Sequence, residues 1–232
     1  MSDLDERTFS TRQQLDATLA VDVAAALEHA ISEKGSAILV VSGGSTPLNF
    51  FGELSEKNIP WHKVQVTLAD ERWVPADHQD SNEKLVREKL LVNKAATASF
   101  ISLKTPADDA KVGAADLDGV FSELPDFDVV ILGMGGDGHT ASLFPGAEAL
   151  AQGLDMNSGK CCIAMQPLTA PHQRISLTLP RLLNASQIII HITGNDKKEV
   201  LEQARADKDP EVLPVSAIIT QCQTPVILYW SE

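Results

Sequence analysis

The chain has 232 residues, 44% of them hydrophobic and 22% charged, with 19 Lys plus Arg against 32 Asp plus Glu and a formal net charge of −13. This is globular composition, not disordered, and the length suits one large α/β domain as well as two small ones. The acidic excess argues against nucleic acid and anionic lipid as partners, because phosphate contacts need Lys and Arg, and no run approaches the ~18 apolar residues of a membrane span.

Met1 to Arg7 carries Asp3, Asp5 and Glu6 and no apolar stretch, so it reads neither as a secretory signal nor as a transit peptide, and a cytoplasmic location is expected. Cys161 and Cys162 are adjacent and Cys222 is distant; with no C-x-x-C pair, buried reduced thiols are expected in place of a zinc or redox site. From Arg12 to Lys34, Leu15, Leu19, Val23, Leu27 and Ile31 recur every fourth position and predict one amphipathic helix. Ala37 to Val41 is a continuous aliphatic run ending in Gly43-Gly44, the pattern of a strand buried on both faces. Similar strands are predicted at Val64 to Leu68, Val129 to Leu132, Ile188 to Ile192 and Val226 to Tyr229, with weaker ones at Cys161 to Met165 and Ile175 to Leu179. Helical patterns lie between several of them, at Leu48 to Lys57, Glu83 to Val92, Ala107 to Phe121 and Lys197 to Ala206. The alternation predicts a single α/β domain over residues 1–232, with a largely parallel sheet flanked by helices on both faces. In such sheets ligands bind beyond the carboxyl ends of the strands, so the segments just after each strand are the places to look for function.

After the first of these strands comes Ser42-Gly43-Gly44-Ser45-Thr46-Pro47 and then an apolar-periodic helix. Glycines let the N–H groups turn inward, Ser45 and Thr46 add hydroxyls, and Pro47 suits a first helical position. The segment therefore reads as an anion cradle at a helix N-terminus, or else as a plain capped turn. G-x-S-x-G is missed, because Pro47 stands where the last glycine of a serine-hydrolase elbow belongs. The second strand runs into Asp70-Glu71-Arg72-Trp73-Val74-Pro75, where carboxylates and an arginine can orient a substrate, hold a histidine or only pair with one another. Gly133 to Gly146 contains G-x-G-x-x-G after a strand, but Pro145 and Gly146 cut off a long helix and no acidic ribose-binding residue follows, so a dinucleotide site is not expected. His139, set among four glycines at the rim of the sheet, is the better candidate, as a general base. Arg174 and Lys197 are surface charges if isolated; together with the Gly43 to Thr46 cradle they can neutralise a phosphate.

The set S-G-G-S-T-P, D-E-R-W-V-P, G-M-G-G-D-G-H-T-A-S-L-F-P-G, R-I-S-L-T-L-P and I-T-G-x-x-K, in this order from Ser42 to Lys197, closely resembles the 6-phosphogluconolactonase family, grouped with the glucosamine-6-phosphate isomerases. The resemblance implies a Rossmann-like, sugar-phosphate isomerase-like fold and hydrolysis of a 6-phosphogluconolactone in the oxidative pentose phosphate pathway. Carried over by position, it implies His139 as general base, Asp70 and Arg72 as the strand-end acidic and basic pair, and Asp137 as the acidic residue of the histidine loop. It also implies Gly44, Ser45, Thr46, Arg174 and Lys197 as phosphate-binding positions, Gly43 completing the cradle. Where the family often has a Pro-rich, doubly basic lead into R-I-S-L-T-L-P, His172 and Gln173 here precede a single Arg174. The stretch from Glu148 to Gly159 and the last thirty residues carry no motif that maps.

A δ-lactone carbonyl is already electrophilic, so hydrolysis needs a positioned water, a base and oxyanion stabilisation, and neither a cofactor nor a metal is expected. The expected partner is a small phosphosugar lactone, with no obligatory protein partner implied. His139 would take a proton from water and pass it to the ring oxygen, with Asp70 or Asp137 orienting the imidazole and Arg72 or loop N–H groups stabilising the oxyanion. Competing readings are an isomerase or deaminase of the same fold working through a carboxylate, a non-catalytic phosphosugar-binding protein, and a serine esterase.

Overall fold

The computed structural model describes residues 4–232. Of the acidic leader, residues 1–3 lie outside the described residues, and Asp5–Phe9 forms a strand, β1, that its charged sequence conceals. The helix expected from Arg12 to Lys34 has those bounds (α1) and buries its Leu15, Leu19, Val23, Leu27, Ile31 stripe. Thr11 caps its start by accepting the Gln14 N–H, and Gly35, at φ +84°, ends it in the left-handed conformation a glycine adopts without strain. The chain continues through β2 (Ala37–Val41), α2 (Leu48–Ser55), β3 (Val64–Leu68), β4 (Asp70–Arg72), α3 (Asn82–Lys89) and β5 (Ser99–Phe100). Next come α4 (Ala110–Glu123), β6 (Val129–Leu132), α5 (Leu150–Leu154), β7 (Cys162–Met165), β8 (Arg174–Leu177) and α6 (Leu179–Leu183). It ends with β9 (Ile188–Thr193), α7 (Asn195–Asp207), α8 (Val215–Ile219) and β10 (Val226–Ser231).

Seven strands form one all-parallel sheet in the order β1-β10-β9-β6-β2-β3-β5. From β2 the chain proceeds outward to β3 and β5, whereas from β6 it proceeds the other way to β9 and β10. Connections thus diverge between β2 and β6, and a crevice opens there at the carboxyl ends of the two strands. The loops that flank it are Ser42 to Pro47 and Gly133 to His139. β2 and β6 are buried at every position, which is why their sequences are unbroken aliphatic runs.

The two weaker strands do not join this sheet. β7 and β8 pair antiparallel with each other and β8 with β4, giving a separate three-stranded sheet. Residues 166–173 link β7 to β8, too short a connection for the crossover of a dozen or more residues that parallel pairing requires. The second strand, β3, has its predicted bounds Val64–Leu68, and the Asp70 to Arg72 segment that follows it belongs to the other sheet. Ala69 donates its N–H to Val41 in the parallel sheet while its carbonyl accepts from Leu177, so Asp70–Arg72 passes into the small sheet as β4. The T-L-P end of the R-I-S-L-T-L-P motif turns into α6, with a proline in its first turn, and so leaves β8 at Leu177. Pro47 stands at the cap of α2, one residue before the helical position expected for it. Of the thiols, Cys162 is buried and Cys161 partly so, but Cys222 is exposed, since it lies in the turn leading to β10 and outside the core. Among the described residues no helix is long and apolar enough to cross a membrane.

Candidate active site

A cavity of about 280 Å3 occupies the crevice, and Gly43, Gly44, Ser45, Thr46, Asp70, Arg72, His139 and Lys197 all line it. Residues from four distant stretches of sequence thus reach one space. Arg174 and Asp137 do not line it and stand one layer behind, Arg174 as the register partner of Arg72 and Asp137 against His139.

The cradle loop is held from outside. Ser42 N–H donates to Ile131 of β6, and Nη2 of Arg12, the first residue of α1, donates to the carbonyls of Ser45 (2.9 Å) and Thr46 (2.7 Å). Because C=O and N–H oppose each other across a trans peptide, drawing the Ser45 carbonyl to Arg12 turns the Thr46 N–H the other way. Gly44 sits at φ +91°, and a Cβ on Gly43 would fall 1.9 Å from Oδ1 of Asn82, so both glycines are demanded by geometry.

In the histidine loop, Gly138 N–H donates to Gly135 and Gly135 N–H to His139, a tight turn with Gly138 at φ +75°. Oδ1 of Asp137 lies 2.5 Å from Nδ1 of His139. The imidazole is 29% exposed and lies over Phe144, ring centroids 4.2 Å apart. The hydrogen bond from His139 holds the Asp137 carboxyl below the ordinary aspartate range, against the opposing effect of burial.

Asp70 has a different partner: it accepts from Ser142 Oγ at 2.6 Å, and its carbonyl accepts from Asn82 Nδ2. Glu71 points away from the cavity and caps α3, accepting the N–H groups of Asn82 and Glu83 and the Ser81 hydroxyl; burial pushes its carboxyl up against those donors. Arg72 donates Nη1 to the Asp80 carbonyl. Arg174 is only 6% exposed, with Nε and Nη1 lacking hydrogen-bond partners; burial and the adjacent Arg72 pull its guanidinium down. Lys197 has no counter-ion among the described residues, and burial alone holds its ammonium below the ordinary lysine value. A half-buried cation left unpaired in a chain of net charge −13 marks a place suited to a bound anion. Among the described residues no group of three or more His, Cys, Asp or Glu side chains is arranged to hold a metal ion.

Five contributors were not singled out from sequence: Arg12 and Asn82, which brace the cradle, Ser142, which fixes Asp70, and Asp16 and His191. His191 lines the cavity, and Asp16 lies behind it. For these two a signal existed: a histidine interrupts the isoleucines of β9, and an aspartate adjoins the buried stripe of α1.

The family model described as glucosamine-6-phosphate isomerases/6-phosphogluconolactonase matches residues 10–228. A 6-phosphogluconolactonase of Rhizobium meliloti (strain 1021) is 42% identical over 224 residues, covering 96% of this chain and 97% of the relative. One from Pseudomonas aeruginosa is 44% identical over 215 residues, covering 91% and 88%. A crystal structure of a 6-phosphogluconolactonase from Shewanella baltica OS155 superposes with a TM-score of 0.96 at 44% identity, over 100% of this chain and 99% of that one.

Proposed function

The chain belongs to the glucosamine-6-phosphate isomerase/6-phosphogluconolactonase family, and on that premise we propose that it hydrolyses 6-phospho-D-glucono-1,5-lactone to 6-phosphogluconate, with His139 as general base. The observation that carries this reading is a single cavity in which a carboxylate-held imidazole and an unpaired lysine beside a glycine-rich loop face the same space.

The substrate phosphate lies at the Gly43 to Thr46 cradle with Lys197 as its charged partner, and this anchors the lactone so that C1 reaches His139. Asp137 holds Nδ1, which leaves Nε2 of His139 to take a proton from water as the water oxygen bonds to C1. The carbonyl oxygen becomes an oxyanion, stabilised by Arg72 or by the N–H groups of the glycine loop. When the tetrahedral centre collapses, the C1–ring oxygen bond breaks and His139 returns its proton to the departing oxygen. Asp70, anchored by Ser142, orients the sugar. Arg174, behind Arg72, adds positive potential to the anion site from the second layer.

Proton release on adding fresh 6-phosphogluconolactone, above the spontaneous rate, tests the reading. Formation of a ketose phosphate or of ammonia from an aminosugar phosphate, without lactone opening, would transfer the site to the isomerase and deaminase side of the family.

A further inference from the structure

Beneath the cradle lies a buried group that the proposed chemistry does not use. His191 of β9 is 2% exposed and Asp16 of α1 is 1% exposed, and Nε2 of His191 lies 3.3 Å from Oδ1 of Asp16. That approach lacks hydrogen-bond alignment: Nε2 of His191 and both carboxylate oxygens of Asp16 are buried without a hydrogen-bond partner. Asp16 in turn lies 3.7 Å from Nε of Arg12, whose Nη2 grips the carbonyls of Ser45 and Thr46. The ring edge of His191 meets Phe50 in the first turn of α2, centroids 6.0 Å apart, and the residue lines the same cavity as Gly43 to Thr46 and Lys197.

An unbonded carboxylate at such depth is costly unless a cation compensates it. Arg12 is one, at a distance and already committed to the loop. The charged and titratable groups around the ring are Asp16 and Arg12 on α1, Lys197 on α7, and His139, Asp70 and Arg72 across the cavity; Tyr229, its register partner on β10, is committed to Asp22 and Arg7. Asp16 is the nearest of these carboxylates, so an imidazolium at His191 has its countercharge already in place. A phosphate dianion only accepts hydrogen bonds, as does the Asp16 carboxylate beside Nε2, so a ring set between the two needs protons on both nitrogens.

We propose that His191 is a further binding residue of the phosphate subsite, donating to the substrate phosphate as an imidazolium whose charge is balanced by Asp16, with Asp16 acting as a positioning residue. Arg12 ties this pair to the cradle, since it approaches Asp16 and holds the Ser45 and Thr46 carbonyls. The inference rests on the phosphosugar reading above and deepens it.

The test separates the two. His191→Gln and Asp16→Asn are assayed on 6-phosphogluconolactone and on unphosphorylated gluconolactone, and each is titrated calorimetrically with glucose 6-phosphate, a phosphomonoester with no lactone to open. Both variants should raise KM for the phosphorylated lactone and Kd for glucose 6-phosphate by about 10- to 150-fold, with kcat and the rate on gluconolactone little changed. Asp16→Asn is near-isosteric and forfeits no hydrogen bond within the protein, so it carries the test if His191→Gln fails to fold. Unchanged KM and Kd in folded Asp16→Asn, or equal losses on both lactones, would overturn the proposal. If the wild type binds glucose 6-phosphate through these residues but opens no lactone, the inference stands and the hydrolytic reading falls.

Discussion

Oδ1 of Asp137 lies 2.5 Å from Nδ1 of His139 and also accepts the His139 backbone N–H at 3.2 Å, so one carboxylate oxygen fixes both the ring and the residue that carries it. The sequence left Asp70 and Asp137 as alternatives for orienting the imidazole. In the structure Asp137 accepts the hydrogen bond from the imidazole, and Asp70 accepts from Ser142.

This pairing sets a pH dependence. The Asp137 carboxyl is held low by its bond from His139, so its contribution is fully present above the ordinary aspartate value of about 3.9 and is lost only as pH falls through the lower folded value. The carboxylate is therefore ionised across about pH 5 to 8, where a histidine changes charge, and the acid limb of kcat/KM should fall in that interval. Asp137→Asn should lower kcat by about 10-fold or more, the worth of one charge-assisted hydrogen bond, with KM little altered. A steady-state pH profile of both proteins checks this. A wild-type profile flat down to about pH 4.5 would point to a carboxylate base.

Gly135 offers a substitution aimed at the same pair. A Cβ there would lie 2.2 Å from Cε1 and Nδ1 of His139 and 2.6 Å from Oδ1 of Asp137, so the ring and carboxylate must shift to admit a methyl group. Gly135→Ala should cost most of kcat, because catalytic placement is sensitive at the 1 Å scale, where losses reach ~100-fold. Circular dichroism and thermal unfolding should show the fold retained. Full activity in the alanine variant would mean that the observed His139–Asp137 geometry is not the working one.

Lys197 and Arg174 should separate by their position. Lys197→Ala should raise KM for the phosphorylated lactone about 10- to 150-fold and leave unphosphorylated gluconolactone unaffected. Arg174→Ala, lying behind the cavity wall, should act in the same direction but less, and should also lower stability through the packing its buried side chain supplies. Because burial depresses the Lys197 ammonium, KM for the phosphorylated lactone should climb on the alkaline side at a pH below the ordinary lysine value of about 10.4. Loss of that climb in Lys197→Ala would assign it; its persistence would assign it elsewhere.

Most of the parallel sheet was legible because strands buried on both faces must be continuously apolar, as Ala37–Val41 and Val129–Leu132 are. β1 was not, since Asp5–Phe9 is a charged edge strand whose pairing with β10 is a tertiary event. The small sheet escaped for a related reason: nothing local to Ala69 announces that its N–H and carbonyl serve different sheets. At the site, the glycine loops and His139 were visible because backbone turns leave a glycine signature. Arg12 was invisible because it reaches the carbonyls of residues 45 and 46 across 33 and 34 positions of sequence. Asp16 and His191 stand out only once it is known that both places are interior.

General-base catalysis by His139 is tested by the rate of proton release from freshly prepared 6-phosphogluconolactone with wild type and with His139→Ala, each verified as folded by thermal unfolding. Removal of a general base should reduce kcat/KM by about 100- to 10,000-fold, while the affinity for glucose 6-phosphate, which has no lactone to open, should stay close to that of the wild type. Hydrolysis at an undiminished rate in folded His139→Ala would remove the imidazole from the chemistry.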